Sequence, residues 1–250
     1  MLKPRVIPIL LLQENGLVKT KNFKNPKYIG DPINAVRIFN EKEVDELIFL
    51  DITTTRYNKK INFELLSEIA SECFMPLTYG GGVKDIDTIR KILKLGVEKI
   101  CINSYMFKNA NFVREAVKLF GSSTIVVSID VKKNIFGKYK IWSHGGTKKV
   151  NTTFDNAIKL IEEIGVGEIL INSIDKDGCM LGYDCSLINK VSKSVSIPVV
   201  ASGGAGTIID FQKAISNGAS AVGAGSMFVL HGKHKAVLIT YPNRKDIWLI

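Results

Sequence analysis

A single (β/α)8 barrel, an α/β TIM barrel built from two similar half-barrels over residues 1–250, is the fold this sequence predicts, on three observations. Short β-branched runs alternate with amphipathic stretches eight times along the chain, the arithmetic of eight strands with intervening helices. The runs are near-continuously apolar (IVVSI, EILIN, PVVAS), as expected of parallel strands covered on both faces. Residues 76–107 also align without a gap on 198–229, an offset of 122. In that alignment Pro76 meets Pro198, Gly81-Gly82 meet Gly203-Gly204, Gly96 meets Gly218 and Ser104 meets Ser226. The same offset pairs ELIFLDIT (46–53) with EILINSID (168–175). The period is too long for a solenoid repeat. It describes two half-barrels, which a doubly wound sheet would not predict.

The first strand is predicted over 5–11. The start MLKPRVIPILLL places charge before an apolar run, as a signal peptide does. It lacks a small-residue cleavage site and runs straight into Gln13-Glu14-Asn15, so it reads as a core strand. A long polar loop, 12–32, follows. Strands at 46–51, 76–79 and 98–103 then alternate with helices at 33–44, 62–73, 85–96 and 109–119. Strand 124–130 leads into an insertion at 131–150, read as a hairpin around IFGKYKIW with a Gly-Gly turn. The second half continues with strands at 168–173, 198–201 and 220–224 and helices at 154–165, 184–193 and 207–217. The closing HGKHKAVLITYPNRKDIWLI carries no convincing amphipathic pattern, so an eighth helix is expected to be short or absent. Long loops after barrel strands lie on the catalytic face and often act as lids.

Composition narrows the function. Hydrophobic residues make up 46% and charged residues 23% of 250, which excludes a disordered chain. The longest apolar run, Val6 to Leu12, contains Pro8 and falls far short of the ~20 residues a spanning helix needs, so no membrane association and a cytoplasmic location are expected. Cys73, Cys101, Cys179 and Cys185 form no CxxC pair and have no His cluster nearby; neither a metal site, a disulfide framework nor a cofactor is expected. The net charge of +10 comes from scattered lysines rather than a recognition helix, and no nucleic-acid motif is present. That charge suits anionic small molecules better than nucleic acid.

Glycine-rich turns supply the candidate binding residues. Gly80-Gly81-Gly82 ends strand 3 and Asn103-Ser104 ends strand 4; Ser202-Gly203-Gly204 ends strand 7 and Gly225-Ser226 ends strand 8. Glycines after a strand let backbone N–H groups approach an anion at a helix N-terminus. One such turn is explained by tight turning alone. Two, related by the internal repeat, predict two phosphate sites on opposite sides of the mouth. Among carboxylates, Asp51, Asp130 and Asp177 fall at the C-terminal ends of strands or in the loops beyond. Asp51 and Asp177 could equally cap a loop or helix. Asp130 ends its strand without a cap signature and is the best general acid or base. Arg5, Glu46, Lys99 and Glu168 fall at strand starts, with signs that could close an ion-pair ring across the barrel bottom or simply decorate the surface.

FLDIT (49–53), the GGG turn (80–82), IN-S (102–104), SIDKDG (173–178), GYD (182–184) and ASGGAG (201–206) together resemble the cyclase subunit (HisF family) of imidazole glycerol phosphate synthase. The resemblance is nearly collinear from residue 1 to about 228, and SIDKDG followed by GYD leans towards the cyclase over its isomerase relative. It implies a bis-phosphate ligand. It also implies a HisH-like glutaminase docked on the N-terminal face, whose ammonia crosses the barrel axis to the mouth. The charged residues that gate this entrance correspond to Arg5, Glu46, Lys99 and Glu168. Lys19 corresponds to a loop lysine that closes over ligand, Asp130 to one of two catalytic aspartates, and Asn172, Asp177 and Gly178 to ligand-binding positions, Asn172 replacing a usual threonine.

The other aspartate is missing. Where the family reads roughly IPCLDV, this chain reads IPILLL, with Leu11 in place of the carboxylate and Ile9 in place of a cysteine. A leucine neither accepts nor donates a proton, and losing one of two groups acting together costs orders of magnitude in rate. The resemblance therefore implies a divergent member that supplies ammonia to a third enzyme, an amidotransferase acting on sugars for bacterial surface polysaccharide. The alternatives are a working cyclase and lyase of histidine biosynthesis, and a non-catalytic activator of the glutaminase.

Overall fold

The computed structural model describes residues 4–247; the three residues at each end of the predicted 1–250 span lie outside the described residues. Strands β1 (Arg5–Gln13), β2 (Leu47–Asp51), β3 (Leu77–Gly80), β4 (Lys99–Ile102), β5 (Ile125–Lys133), β6 (Glu168–Ser173), β7 (Val199–Ser202) and β8 (Ala221–Ala224) pair in parallel in chain order. Arg5↔Ala221 to Pro8↔Ala224 pairs β8 back onto β1, which closes the barrel. Helices α1 (Pro32–Glu41), α2 (Phe63–Glu72), α3 (Ile86–Lys94), α4 (Ala110–Phe120), α5 (Phe154–Ile164), α6 (Cys185–Ser192) and α7 (Ile208–Ser216) surround it. The bounds of β3, α3 and β4 recur in β7, α7 and β8 shifted by the same 122 residues, so the half-barrel repeat is structural as well as sequential.

Local chemistry sets the helix starts. Asp31, Asn62, Asp85, Asn109, Thr153 and Asp184 each accept a hydrogen bond from the third amide of the following helix, at 2.7 Å in the case of Asp85 and Thr88. The eighth helix is a single turn, α8 (Ser226–Val229), within the short-or-absent expectation, and it lies ahead of the closing segment on which that expectation rests. A short hairpin follows it, and Tyr241 Oη then donates to the Val6 carbonyl at 2.9 Å, fastening the C-terminal segment to β1. No helix among the described residues is long and apolar enough to cross a membrane.

The two-residue period of the strands sorts side chains into an outer core against the helices and an inner column. Along β1, Val6 and Leu10 face the helices while Ile7 and Ile9 join Ile48, Cys101, Val126, Leu170, Val200 and Ala221 inside the barrel. Each fully buried aliphatic contributes roughly 1.5–3 kcal/mol. Extending the same parity places Arg5, Lys99 and Glu168 below this apolar layer and Leu11, Asn103, Asp130 and Asn172 above it.

The segment expected as a loop over 12–32 is largely strand. β1 runs on to Gln13, turns back antiparallel over Gly16–Lys21 (Leu11↔Val18, Leu12↔Leu17), and continues into Lys24–Gly30. Its lysines and asparagines hid the alternation; Leu17 and Val18 are buried while the lysines of the outer strand face water. The 131–150 insertion is a hairpin: β5 extends to Lys133 and pairs with Tyr139–Ser143, Asp130 lying opposite Trp142.

Candidate functional site

Every mouth residue singled out from the sequence lines one cavity of about 340 Å³ at the C-terminal end of the barrel. β1, β2 and their turns form one wall, β5, β6 and theirs the facing wall. The two glycine-rich turn sets close the remaining sides.

The glycine turns are cradles that tolerate no side chain. Gly81 (φ +129°) and its repeat mate Gly203 (φ +82°) hold backbone that other residues rarely adopt, and a Cβ on either would lie 2.5 Å from a neighbouring oxygen: the Asp51 carbonyl and Asn172 Oδ1, respectively. On the β7–β8 side, a Cβ on Gly225 would lie 2.3 Å from Lys19 Nζ, so the ammonium is lodged against this cradle. Lys19 is buried and donates to the Ile9 carbonyl at 2.6 Å. Burial pulls its pKa down to about 8, against the opposing pull of Asp177. The ribbon that carries Lys19 is tied across the mouth to the loop after β6. Thr20 Oγ1 donates to Asp177 Oδ2 at 3.0 Å, and Asn22 Nδ2 donates to the carbonyls of Ile174 and Asp175 at 3.0 and 2.9 Å.

Sequence reasoning missed the basic residues of the β3–β4 side. Arg56, Lys84, Lys108 and His144 line the cavity there. His144 comes from the β5 hairpin and its backbone N–H donates to Ser104 Oγ at 2.9 Å, which brings the hairpin over the cradle. Burial lowers the His144 pKa, with Lys148 adding to the effect. Lys84 directly follows the GGGV turn, a signal available in the sequence; the other three depend on how the loops fold back.

Asp130 is 6% exposed and accepts from Asn103 Nδ2 at 2.8 Å. Burial pushes its pKa up to about 7; the Asn103 hydrogen bond opposes the shift and the charge of Asp177 adds to it. A carboxyl in that range can both give and take a proton near neutrality. Across the mouth, Leu11 and Leu50 present hydrocarbon. Asp51 lines the cavity, but its Oδ1 accepts from Thr53 N, Thr53 Oγ1 and Thr54 N at 2.8, 2.6 and 3.1 Å, closing a turn. Burial also raises the Asp177 carboxyl, with Lys19 opposing.

At the other end of the barrel, Arg5, Glu46, Lys99 and Glu168 form a closed ring of ion pairs. Arg5 bridges Glu46 and Glu168, while Lys99 Nζ lies 3.0 Å from Glu46 and 3.3 Å from Glu168. Thr78 Oγ1 donates to the second oxygen of Glu46 at 2.9 Å, so this nearly sealed carboxylate is satisfied on both sides. The four are brought together, and the reading of these charges as scattered surface decoration does not hold.

Comparison with known proteins gives the family. The family model described as "Histidine biosynthesis protein" matches residues 5–235. The chain is 50% identical over 250 residues to the "Putative imidazole glycerol phosphate synthase subunit hisF2" of Pseudomonas aeruginosa, covering 99% of this chain and 100% of the relative. It is 48% identical over 248 residues to a "Putative imidazole glycerol phosphate synthase subunit HisF" of Leptospira borgpetersenii, 98% of each chain. It is 37% identical over 229 residues to the "Imidazole glycerol phosphate synthase subunit HisF" of Alkaliphilus metalliredigens, 91% of each. With the family model spanning nearly the whole barrel and relatives this similar over almost the full chain, the chain belongs to the histidine-biosynthesis protein family, and within it to the HisF cyclase subunits of imidazole glycerol phosphate synthase.

Proposed function

We propose that this chain is the synthase-side subunit of a glutamine amidotransferase complex in which ammonia delivery is kept and ring-closing turnover is weakened. The observation that carries the proposal is Leu11: it occupies the inward position on β1 facing a mouth that otherwise keeps Asp130, both glycine cradles and, below, the ring. In this reading a glutaminase docks on the N-terminal face. Its ammonia passes the ring of Arg5, Glu46, Lys99 and Glu168 and rises through the apolar column. Neutral ammonia tolerates that layer, whereas an ammonium ion without partners would not. At the mouth the cradles hold a bis-phosphate ligand with Lys19 against the β7–β8 side. A third enzyme then uses the ammonia for amidation of sugars destined for surface polysaccharide.

The test is ammonia-dependent turnover of the cyclase substrate by the chain alone, beside Leu11→Asp. The proposal expects tight binding, turnover orders of magnitude below that of relatives carrying both aspartates, and partial recovery in Leu11→Asp. Native turnover at the relatives' level would sink it. Asp130 supports the second reading, a working cyclase and lyase, because a carboxyl near pH 7 can serve as acid and base alone. A bulky side chain placed beneath the ring separates both from an allosteric activator, since only the activator keeps full glutamine-dependent output with the axis blocked.

A further inference from the structure

We infer that the β5 hairpin and the loop after β6 form a docking surface, beside the mouth, for a protein with an apolar pocket rimmed by acidic side chains. The inference rests on the reading that a third enzyme takes up the ammonia, and it gives that enzyme a place on this face.

Turn tips are usually polar, and apolar side chains scattered singly over a surface need no explanation. Ile135 and Phe136 stand next to each other at the hairpin tip, 92% and 78% exposed. The turn fixes its own backbone there. Asn134 Oδ1 accepts from the N–H groups of Phe136 and Lys138 at 3.0 and 2.8 Å, and Gly137 N donates to the Asn134 carbonyl at 2.9 Å. Leu181, on the loop after β6, and Ile209, at the start of α7, are exposed on the adjoining part of the rim. Hairpin and loop are tied together. Lys133 N donates to Asp175 Oδ2 at 2.8 Å, Tyr139 Oη donates to Asp184 Oδ1 at 3.1 Å, and Lys133 Nζ lies 3.0 Å from Asp184. An apolar surface held this firmly loses little freedom when it is covered.

Charge decides what covers it. Lys132 and Lys138 flank the tip, and Lys148 and Lys149 continue along the strand that pairs with Trp142 and Ser143. All four are exposed and have no carboxylate partner among the described residues. None of them lines the cavity, so an anion bound in the mouth leaves them uncovered. A partner that buries Ile135 and Phe136 must therefore bring acidic groups to these lysines. An apolar centre within a charged rim is the anatomy of a protein interface. A nucleic acid would match the charge, but single strands stack on aromatic rings and gain nothing from Ile135, Leu181 and Ile209. The hairpin is also part of the mouth: His144, near its base, lines the cavity and donates its N–H to Ser104 Oγ. A protein seated on the tip stands at the exit and can use what leaves it, which a lipid surface cannot.

Photo-crosslinking in the native host tests this, with the crosslinking side chain placed at Phe136, at Leu181 and, as a control, at the exposed Leu119 at the end of α4. One protein should be joined from both Phe136 and Leu181 and not from Leu119. Purified, that protein should bind the full chain directly, less tightly as salt rises, and should bind Phe136→Ser about tenfold more weakly. The double variant Lys132→Glu, Lys138→Glu should weaken binding through charge alone. Inorganic phosphate should bind Phe136→Ser as it binds the native chain. No protein joined from the tip, or equal affinity for the native chain and both variants, overturns the inference. So does Phe136-dependent binding to vesicles of equal parts phosphatidylcholine and phosphatidylglycerol with no protein joined, which would make the tip a lipid anchor. A protein that docks as expected but takes up none of the ammonia released from glutamine leaves the docking surface standing and sinks the delivery reading.

Discussion

At position 11 a leucine meets the cavity from β1 while Asp130 meets it from the far wall, and much of the chemistry turns on that mismatch. In an unfolded chain the Asp130 carboxyl ionises near about 4; in the fold burial moves this to about 7. Between those values the folded protein holds a proton that the unfolded chain has released. Stability therefore falls as pH rises through the window and stays lowered above it, by on the order of a few kcal/mol. Asp130→Asn removes that titration. Its Tm relative to the native chain should rise from pH 4 to 7 and level off beyond, as thermal melts across pH would show; a pH-independent difference would refute it. Lys19 titrates in the opposite sense. Its ammonium is depressed to about 8, so phosphate affinity should fall as pH rises through that value, and Lys19→Met should remove the dependence. Asp130 was legible in the sequence because the two-residue period of a strand fixes which way a side chain points, although the strand itself runs on to Lys133. Arg56, Lys108 and His144 were not, because a loop residue has no register until its loop is placed.

The ribbon after β1 shows what an element can hide. Its composition is that of a polar loop, yet its backbone pairs with β1 and Asn22 pins its tip to the loop after β6. Asn22→Ala removes both of those carbonyl contacts, each worth about 1 kcal/mol net. Hydrogen exchange over 16–30 should speed up about tenfold or more, with the barrel strands unchanged; unaltered exchange would mean the strand pairing alone keeps the ribbon closed. The cradles were the more readable elements, since the repeat marked Gly81 and Gly203 as equivalents before their backbone was known. Gly203→Ala forces a methyl to within 2.5 Å of Asn172 Oδ1 at φ +82°. We expect a loss of roughly 1–3 kcal/mol in denaturant unfolding and weakened phosphate binding. Native-like stability and affinity would show that the turn can rearrange.

For the whole molecule, the alternation of eight apolar strands with helices and the 122-residue repeat determined a closed barrel, and parity along each strand determined which side chains line its axis. Closure has a consequence that no single strand contains: Arg5, Glu46, Lys99 and Glu168 come from four strand starts up to 163 residues apart and meet in one ring. Lys99→Ala leaves two carboxylates, one of them sealed from water, with Arg5 as their remaining cationic partner within the ring. Glutamine-dependent flux through the complex should change while phosphate binding, at the opposite end of the barrel, does not. Unchanged flux would make the ring a structural clasp. The sequence by itself determined the fold, the cradle glycines and the inward-facing Asp130, because strand period and turn chemistry are local properties of the chain; that Leu11 stands in place of a second carboxylate is what the family resemblance implies. Only the tertiary structure decided that the ring closes, that Lys19 is buried against Gly225, and that Asn103 holds the Asp130 carboxylate. Those depend on distances between strands far apart in sequence, which closure of the barrel alone sets.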